Sequence, residues 1–442
     1  MKYYNINDQS EKVSLREAVL KSSPNISGLY MPERIPQLPD AFFKELPVLR
    51  LQEIAVESSK AMFGDDVPTS ELERIVSNAL NFDIPLRQLD ENLFVLELFH
   101  GPTMAFKDVG ARFMAGLFEY FLQRDVVVLV ATSGDTGSAV ANAFYNRKGV
   151  RVVILYPSGR VSEFQEKQIT TMGGNITALE VDGDFDDCQR LVKQAFSDAD
   201  INSRITLTSA NSINFARLFP QSFYYLYAVG QLWRQPDCFH GARPVAISVP
   251  SGNFGNLTAG LIAKRMGLSV STFIVANNLN HSVADYLNEG HFEPRPTQHT
   301  ITNAMDVGNP SNFARILDLY KHSHRDIASD IKGYWFTDVQ TCEALSELQK
   351  KFGYQADPHG AVAYLALKNF MEEYPENRPK RDKPAGIFLE TAHPAKFSDS
   401  VEMATGKKAQ IPADMKVLMG LYKKSIKISN NLEDLKKHIF HM

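Results

Sequence analysis

The sequence predicts an α/β protein whose parallel sheets are covered by helices on both faces. Three observations lead there. From about residue 93 onward, short apolar runs alternate with stretches of helical spacing. Runs such as "VVVLVA" (126–131) and "RVVILY" (151–156) are apolar at nearly every position rather than at every second one. Two of the apolar runs lead directly into glycine-containing turns, "TSGDTGSA" (132–139) and "PSGNFGN" (250–256). Continuously apolar strands separated by helices are buried on both faces, as parallel sheets require. On such sheets ligands bind beyond the carboxyl ends of the strands, where turns lead into helices.

The bulk composition supports this class and excludes others. At 442 residues the chain exceeds the roughly 150 of one domain, so two or three domains are expected. With 44% hydrophobic and 22% charged residues it can bury a substantial core. A formal net charge of −4 creates no global field toward nucleic acid or acidic lipid, and neither is expected as a partner. Cys188, Cys238 and Cys342 are too widely spaced for a metal knuckle or redox pair, and they read as reduced thiols of a cytoplasmic protein. The opening "MKYYNINDQSEKVS" lacks the apolar region of a signal peptide, and no apolar run approaches about 18 residues, so no membrane span is expected.

Taken in order, residues 1 to about 85 read as mainly helical. "VSLREAVLKS" and "PTSELERIVSNALNF" are amphipathic, and the turn-rich "SPNISGLYMPERIPQLPD" lies between them. The strand–helix alternation begins at Leu93–Leu96. It continues through "VVVLVA", "GSAVANAFYNRKG", "RVVILY", "SEFQEKQITTMGG", "ITALEV" and "DFDDCQRLVKQAFSDA". Further on come "PVAISV" (244–249), a helix through "LTAGLIAKRMG", "STFIVAN" (271–277) and "GIFLET" (386–391). The lysine-rich C-terminal stretch carries Leu432, Leu435 and Ile439 at helical spacing and predicts a surface helix.

Lys107, in "HGPTMAFKDVGARF" (100–113), sits where a strand and a Gly101–Pro102 turn meet a helix that Asp108 is expected to cap. Partly desolvated by Phe106, Met104 and Pro102, it could serve as an amine nucleophile or Schiff-base former. A structural lysine with its stem packed on Phe106 fits the same residues. The turns 132–139 and 250–256 place small residues at helix N-termini, where free N–H groups and the helix dipole favour an anion. Gly252 and Gly255 would let backbone close on a phosphate; the same residues also serve any plain strand-to-helix corner. "NSINFARLFPQ" (211–221) offers Asn211, Ser212, Asn214 and Arg217 for a phosphate or carboxylate, or else forms a capped helix with a surface arginine. There is no Walker A ending, no G-x-G-x-x-G and no Gly-x-Ser-x-Gly elbow. "HSH" (322–324) lacks a third metal ligand, and "DFDD" (184–187) fits a helix cap better than a calcium loop. No metal is expected.

An anion loop, a shielded lysine and an α/β sheet together point to pyridoxal 5′-phosphate. "HGPTMAFKDVGARF", "TSGDTG", "NSINFARLFPQ", "VPSGNFGNLTAG", "NAMDVGNPSNFAR" and "TAHPAKF" resemble, in order, the signature segments of the threonine synthases, in the branch with a separate N-terminal domain. The resemblance implies the tryptophan-synthase-β-like fold, type II among pyridoxal-phosphate enzymes. It implies an N-terminal domain over 1–85, a first α/β domain over 86–215 and a second over 216–442. The implied reaction takes O-phospho-L-homoserine and water to L-threonine and phosphate, the last step of threonine biosynthesis and a lyase reaction. By motif, Lys107 is the Schiff-base lysine. Gly252, Asn253, Phe254, Gly255 and Asn256 form the cofactor-phosphate loop, and Thr391 is the hydroxyl facing the pyridine nitrogen. Ser133, Gly134, Asp135 and Thr136 match the substrate-carboxylate loop; Asn211, Ser212, Asn214 and Arg217 match a segment near the substrate phosphate. Asp135 departs from the wider fold group, where asparagine is common. An ionised Asp135 would repel a carboxylate, so it is expected to turn away, as a cap, or to be protonated. The N-terminal domain and "NSINFARLFPQ" argue against a threonine dehydratase or cysteine synthase. A phospholyase acting on another phosphorylated amine, or a non-catalytic anion-binding regulatory module, are the alternatives. A monomer and a homodimer are both compatible with the sequence.

Overall fold

The computed structural model describes residues 1–24, 28–374 and 382–440, so residues 25–27 of the turn-rich N-terminal segment lie outside it. Fourteen strands form three sheets among the described residues. β1 (Lys2–Asn5), β2 (Asp8–Ser14) and β3 (Tyr30–Pro32) make a small antiparallel sheet in the order β2-β1-β3. This sheet was not expected in a mainly helical segment. Polar "DQSEKVS" carries no strand alternation, and it is held by pairing with β1 rather than by propensity. The two helices expected here do form, at Leu15–Lys21 and Thr69–Ala79, joined by others at Asp40–Glu45 and Leu51–Phe63.

β4 (Leu86–Asp90), β5 (Leu93–Glu97), β10 (Val245–Pro250), β11 (Thr272–Asn277), β12 (Ile331–Trp335) and β13 (Ala385–Glu390) build the larger sheet, in the order β12-β11-β10-β13-β5-β4. All its pairings are parallel except β4 with β5. β6 (Val126–Ala131), β7 (Val150–Pro157), β8 (Ile176–Asp182), β9 (Leu207–Thr208) and β14 (Ile426–Ser429) build a second, fully parallel sheet in the order β14-β8-β7-β6-β9.

Sheet membership therefore crosses the expected division at residue 215. β4 and β5 precede the second sheet in sequence yet belong to the larger one, because β5 zips along β13 from Leu93–Gly386 to Glu97–Glu390. β14 returns from the far end of the chain to pair with β8. The C-terminal helix Leu432–Phe440 follows it, burying Leu435 and Ile439 against the second sheet's core.

Helix Lys107–Phe121 joins the layers. It buries Val109, Phe113, Met114, Leu117 and Phe118 in one continuous core with the N-terminal helices and both sheets. A Cβ on Gly116 would stand 2.8 Å from Ile75 Cγ2, so the close approach of helix Thr69–Ala79 requires glycine there. Helix Ser222–Leu232, apolar nearly all round, is buried on every side but one, as such a helix must be. No described helix is long and apolar enough to cross a membrane.

Candidate active site

Four chain segments meet around one cavity of about 550 Å³. They are the joint after β5, the turn after β6, the segment around helix Phe215–Leu218 and the turn after β10. Thr391, one residue past β13, closes the cavity beside them. All these strand ends point the same way along their sheets, which is how residues distant in sequence come to line one wall.

Lys107 is the first residue of its helix. The backbone before it folds tightly: Met104 is left-handed at φ 58°, and its N–H donates to the Gly101 carbonyl over 3.0 Å. Asp108 does not occupy the cap position, which falls to Phe106. Its carboxylate instead reaches back from the first turn. It accepts from the Thr103 N–H (2.9 Å) and hydroxyl (2.6 Å), and burial pushes its carboxyl up to about 6. The Lys107 side chain is 14% exposed, with Nζ over the Phe106 ring at 5.3 Å from its centroid. Burial pushes the ammonium down to about 8, with the nearby cations Arg217 and Lys396 adding to the fall and Asp135 opposing it. At pH 7 an amine at that value is neutral in about one molecule in ten, far more often than an ordinary lysine, and the neutral form is what a nucleophile or base needs.

The turn after β6 is tied by the Thr132 hydroxyl, which accepts from the N–H groups of Gly134 (2.9 Å) and Gly137 (2.8 Å). Gly134 sits at φ 135°, a conformation that favours glycine. Ser133 and Thr136 line the cavity; Gly134 and Asp135 do not. Asp135 is turned away from the lumen, and it is ionised rather than protonated. Its Oδ1 lies 2.5 Å from Lys396 Nζ and accepts from Gln165 Nε2 at 2.9 Å, while Oδ2 is 3.9 Å from Lys107 Nζ. Burial alone would raise the carboxyl, but the Lys396 and Lys107 ammoniums outweigh it and hold it well below the usual carboxylate range. Of the two expected ways out for Asp135, turning away is the one observed, with a lysine rather than a cap as its partner.

The turn after β10 leads into helix Gly255–Arg265, with Phe254 left-handed at φ 62°. Gly252, Asn253, Phe254, Gly255 and Asn256 all line the cavity. N–H groups at the start of a helix lack intrahelical acceptors, so this turn suits an anion. A Cβ on Gly252 would stand 2.6 Å from Met305 Cα, and one on Gly255 would stand 3.3 Å from Ser212 Cβ. The loop and the 211–217 segment touch directly, since Asn253 Nδ2 donates to Ser212 Oγ over 2.7 Å.

Asn211, Ser212 and Arg217 line the cavity, and Asn211 Oδ1 is buried without a hydrogen-bond partner among the described residues. Asn214 does not reach the cavity. Its Oδ1 caps helix Phe215–Leu218 through the Ala216 N–H (3.0 Å), and its Nδ2 donates to the Val19 carbonyl (2.8 Å), bolting the N-terminal region to the site. Arg217 is no surface residue. It is 3% exposed, Nη1 donates to the Ala210 carbonyl, and no described carboxylate lies within ion-pair distance. Burial pushes its guanidinium down to about 10. The anion-ready loops and the unpaired guanidinium fit a phosphorylated cofactor and a phosphorylated substrate.

Several residues of the site were not singled out from the sequence. Lys396 and Arg315 lie inside the recognised segments "TAHPAKF" and "NAMDVGNPSNFAR", whose order was the only available signal. Arg315 is fully buried and donates to the carbonyls of Tyr30 (3.0 Å) and Ile213 (2.6 Å) and to Asn312 Oδ1 (2.6 Å). It is a second tie from the N-terminal region to the 211–217 segment. His359 lines the cavity, its Nδ1 2.5 Å from Asp357 Oδ1 and its Nε2 accepting from the Ala304 N–H at 3.3 Å. Behind Thr391, burial and the adjacent Asp357 raise the Glu390 carboxyl far above the usual range.

Two parallel-sheet layers, a shielded lysine and a glycine-lined phosphate cradle define a pyridoxal-phosphate-dependent enzyme, and the model of that family matches residues 79–379. Models of the threonine synthase N terminus and C-terminal region match residues 2–80 and 361–439. The threonine synthase of Haemophilus influenzae is 44% identical over 413 residues, covering 93% of each chain. That of Escherichia coli is 42% identical over 418 residues, covering 94% of each. A crystal structure of threonine synthase from Escherichia coli superposes with a TM-score of 0.91 at 40% identity, covering both chains completely. A pyridoxal-phosphate-bound threonine synthase from Brucella melitensis superposes with a TM-score of 0.90 at 33% identity, covering 100% of this chain and 99% of that one. The chain belongs to the threonine synthase family.

Proposed function

We propose that this chain converts O-phospho-L-homoserine and water to L-threonine and phosphate, with pyridoxal 5′-phosphate as its cofactor. The observation that carries the reading is Lys107. Its amine, pushed down to about 8 by burial, lines one cavity with the 252–256 loop and Thr391. Bound there, pyridoxal phosphate supplies an electron sink for negative charge developing at the substrate Cα.

The chain's own residues do the rest. Lys107 would hold the cofactor covalently, and its freed amine would relay protons, taking them in turn from Cα and Cβ and returning them at Cγ and Cα as phosphate leaves and water adds. The N–H groups of the 252–256 turn would hold the cofactor phosphate at a helix N-terminus. Thr391 would meet the pyridine nitrogen with a hydroxyl, which keeps such a nitrogen less protonated than a carboxylate would. The milder sink suits a route that must avoid transamination. Ser133, Thr136 and the backbone of their turn receive the substrate carboxylate. Asp135 does not repel it, because Lys396 offsets the carboxylate charge. Arg217, with Asn211 and Ser212, draws the leaving phosphate from Cγ, and water adds at Cβ. Asn214 holds this segment in place without contacting substrate. The likeness to the threonine synthases over nearly the whole length of the chain favours this substrate over another phosphorylated amine, and the buried, partly neutral Lys107 favours an enzyme over a regulatory module. Cys188, Cys238 and Cys342, none of them in a disulfide among the described residues, suit a cytoplasmic setting. We further propose a functional division into an N-terminal unit to about residue 85 and two α/β units that share the cavity.

The test is a product assay. Purified chain supplied with pyridoxal phosphate and O-phospho-L-homoserine should yield L-threonine and phosphate in equal amounts. Phosphate released with ammonia and a 2-oxo acid would make the protein a phospholyase, and no turnover of phosphorylated amines would favour the regulatory module.

A further inference from the structure

The assignment of Lys107 leaves a second buried lysine to be explained. The Lys396 side chain is fully buried, its Nζ 2.5 Å from Asp135 Oδ1 and donating to the Thr103 carbonyl over 2.9 Å. Gln165 clamps the same carboxylate oxygen at 2.9 Å. The other oxygen of Asp135 is left facing Lys107 Nζ at 3.9 Å. A buried ion pair is a costly way to fill a wall, because well-packed apolar residues do the same at no desolvation cost. Its place, one carboxylate away from the reactive amine, gives it a use. We propose that Lys396 is a positioning residue for the Lys107 amine, acting through Asp135, whose carboxylate it clamps and whose charge it takes up. The inference rests on Lys107 being the cofactor lysine.

The electrostatics follow from the distances. Without Lys396, the whole charge of Asp135 falls to Lys107, and the amine becomes a tightly held ammonium. Without Asp135, two buried ammoniums face each other and Lys107 loses its proton more readily. The remaining charges that face Lys107 are Arg217 from helix Phe215–Leu218 and Asp357 at the start of helix Pro358–Glu372. Asp108 lies on its own helix, bonded to Thr103. None of these changes in the variants below.

The experiment labels the full-length chain, freed of pyridoxal phosphate, with acetic anhydride across about pH 6 to 10, and follows Lys107 acetylation by mass spectrometry. The wild-type midpoint is expected near 8. Lys396→Met should raise it by about one pH unit, which is roughly a tenfold smaller neutral fraction at pH 7. Asp135→Asn should lower it. Lys396→Arg, which keeps a cation in place, should hold the wild-type value. The double variant Asp135→Asn/Lys396→Met should lie between the singles, and it supplies the reading if Lys396→Met alone does not fold. Superimposed profiles for wild type and Lys396→Met, shifts of the same sign in both singles, or a double variant raised as far above wild type as Lys396→Met would overturn the inference. Cofactor trapped by borohydride on a lysine other than Lys107 would instead overturn the assignment of Lys107, so the two failures are told apart.

Discussion

The two walls of the cavity handle charge in opposite ways. On the Lys107 wall the charges are shared out: Asp135 stands between Lys396 at 2.5 Å and Lys107 at 3.9 Å. In the neighbouring 211–217 segment Arg217 is just as buried, yet its guanidinium donates to the Ala210 carbonyl with no described carboxylate in ion-pair range. A buried cation without a partner carries a desolvation cost, and an incoming anion can offset it. On the proposed function, the pairing around Lys107 tunes a proton-transfer group, and the lack of pairing at Arg217 leaves a place for phosphate. Charge arrangement, more than residue identity, would then separate the part that does chemistry from the part that binds.

The comparison breaks most visibly at Lys107. Lys107→Ala should fold normally and lose turnover by roughly 10³-fold or more, since nucleophile and base disappear together. Threonine formation within about tenfold of wild type would place the reactive amine elsewhere. In the 211–217 segment, Arg217→Lys keeps the charge and loses the planar fork. Loss of one charge-assisted hydrogen bond costs about 1.5–3 kcal/mol, so kcat/KM for O-phospho-L-homoserine should fall roughly 10- to 150-fold. Affinity for pyridoxal phosphate should change much less. Equal losses in both, from steady-state kinetics beside a cofactor titration, would mean the wall does not discriminate between the two phosphates.

Where the walls meet, Gly255→Val should weaken cofactor binding by roughly tenfold, from overpacking. The φ of Gly255 lies outside the left-handed region, so the backbone accepts a side chain. The crowding comes from Ser212 at 3.3 Å and Asn312 at 3.4 Å, and from the phosphate itself. Unchanged titration of the variant by pyridoxal phosphate would reduce the loop to a corner. The smallest effect belongs to Thr391→Ser, which keeps the hydroxyl and should stay within about 0.5 kcal/mol, roughly twofold in rate. A larger loss, measured as kcat with cofactor saturating, would show that the threonine methyl group matters as much as the hydroxyl.

What could be read from the sequence was local. Lys107, the 252–256 turn and Ser133–Thr136 lie in short segments where a strand, a turn and a helix start follow one another, so their place in the fold is legible. The pairing of Asp135 with Lys396 was not legible, because it depends on how the chain end beyond β13 returns beside the turn after β6. The same holds for sheet membership: nothing in "LFVLE" states that β5 pairs with β13. Arg217 reads equally well as a surface or a buried residue in "NSINFARLFPQ", since burial there is set by helix Lys107–Phe121, whose Gly110 would clash with the Arg217 carbonyl if it carried a Cβ. Asn214 misleads for the converse reason. Its amide looks like a ligand, but its partner, the Val19 carbonyl, lies in the N-terminal region.

Which of the two buried lysines carries the cofactor is read by reducing the pyridoxal-phosphate-loaded chain with borohydride, digesting it and locating the cofactor adduct by mass spectrometry. A single adduct on Lys107, the less tightly paired of the two, is expected, with Lys396 unmodified. An adduct on Lys396, or on any lysine outside the cavity, would contradict it.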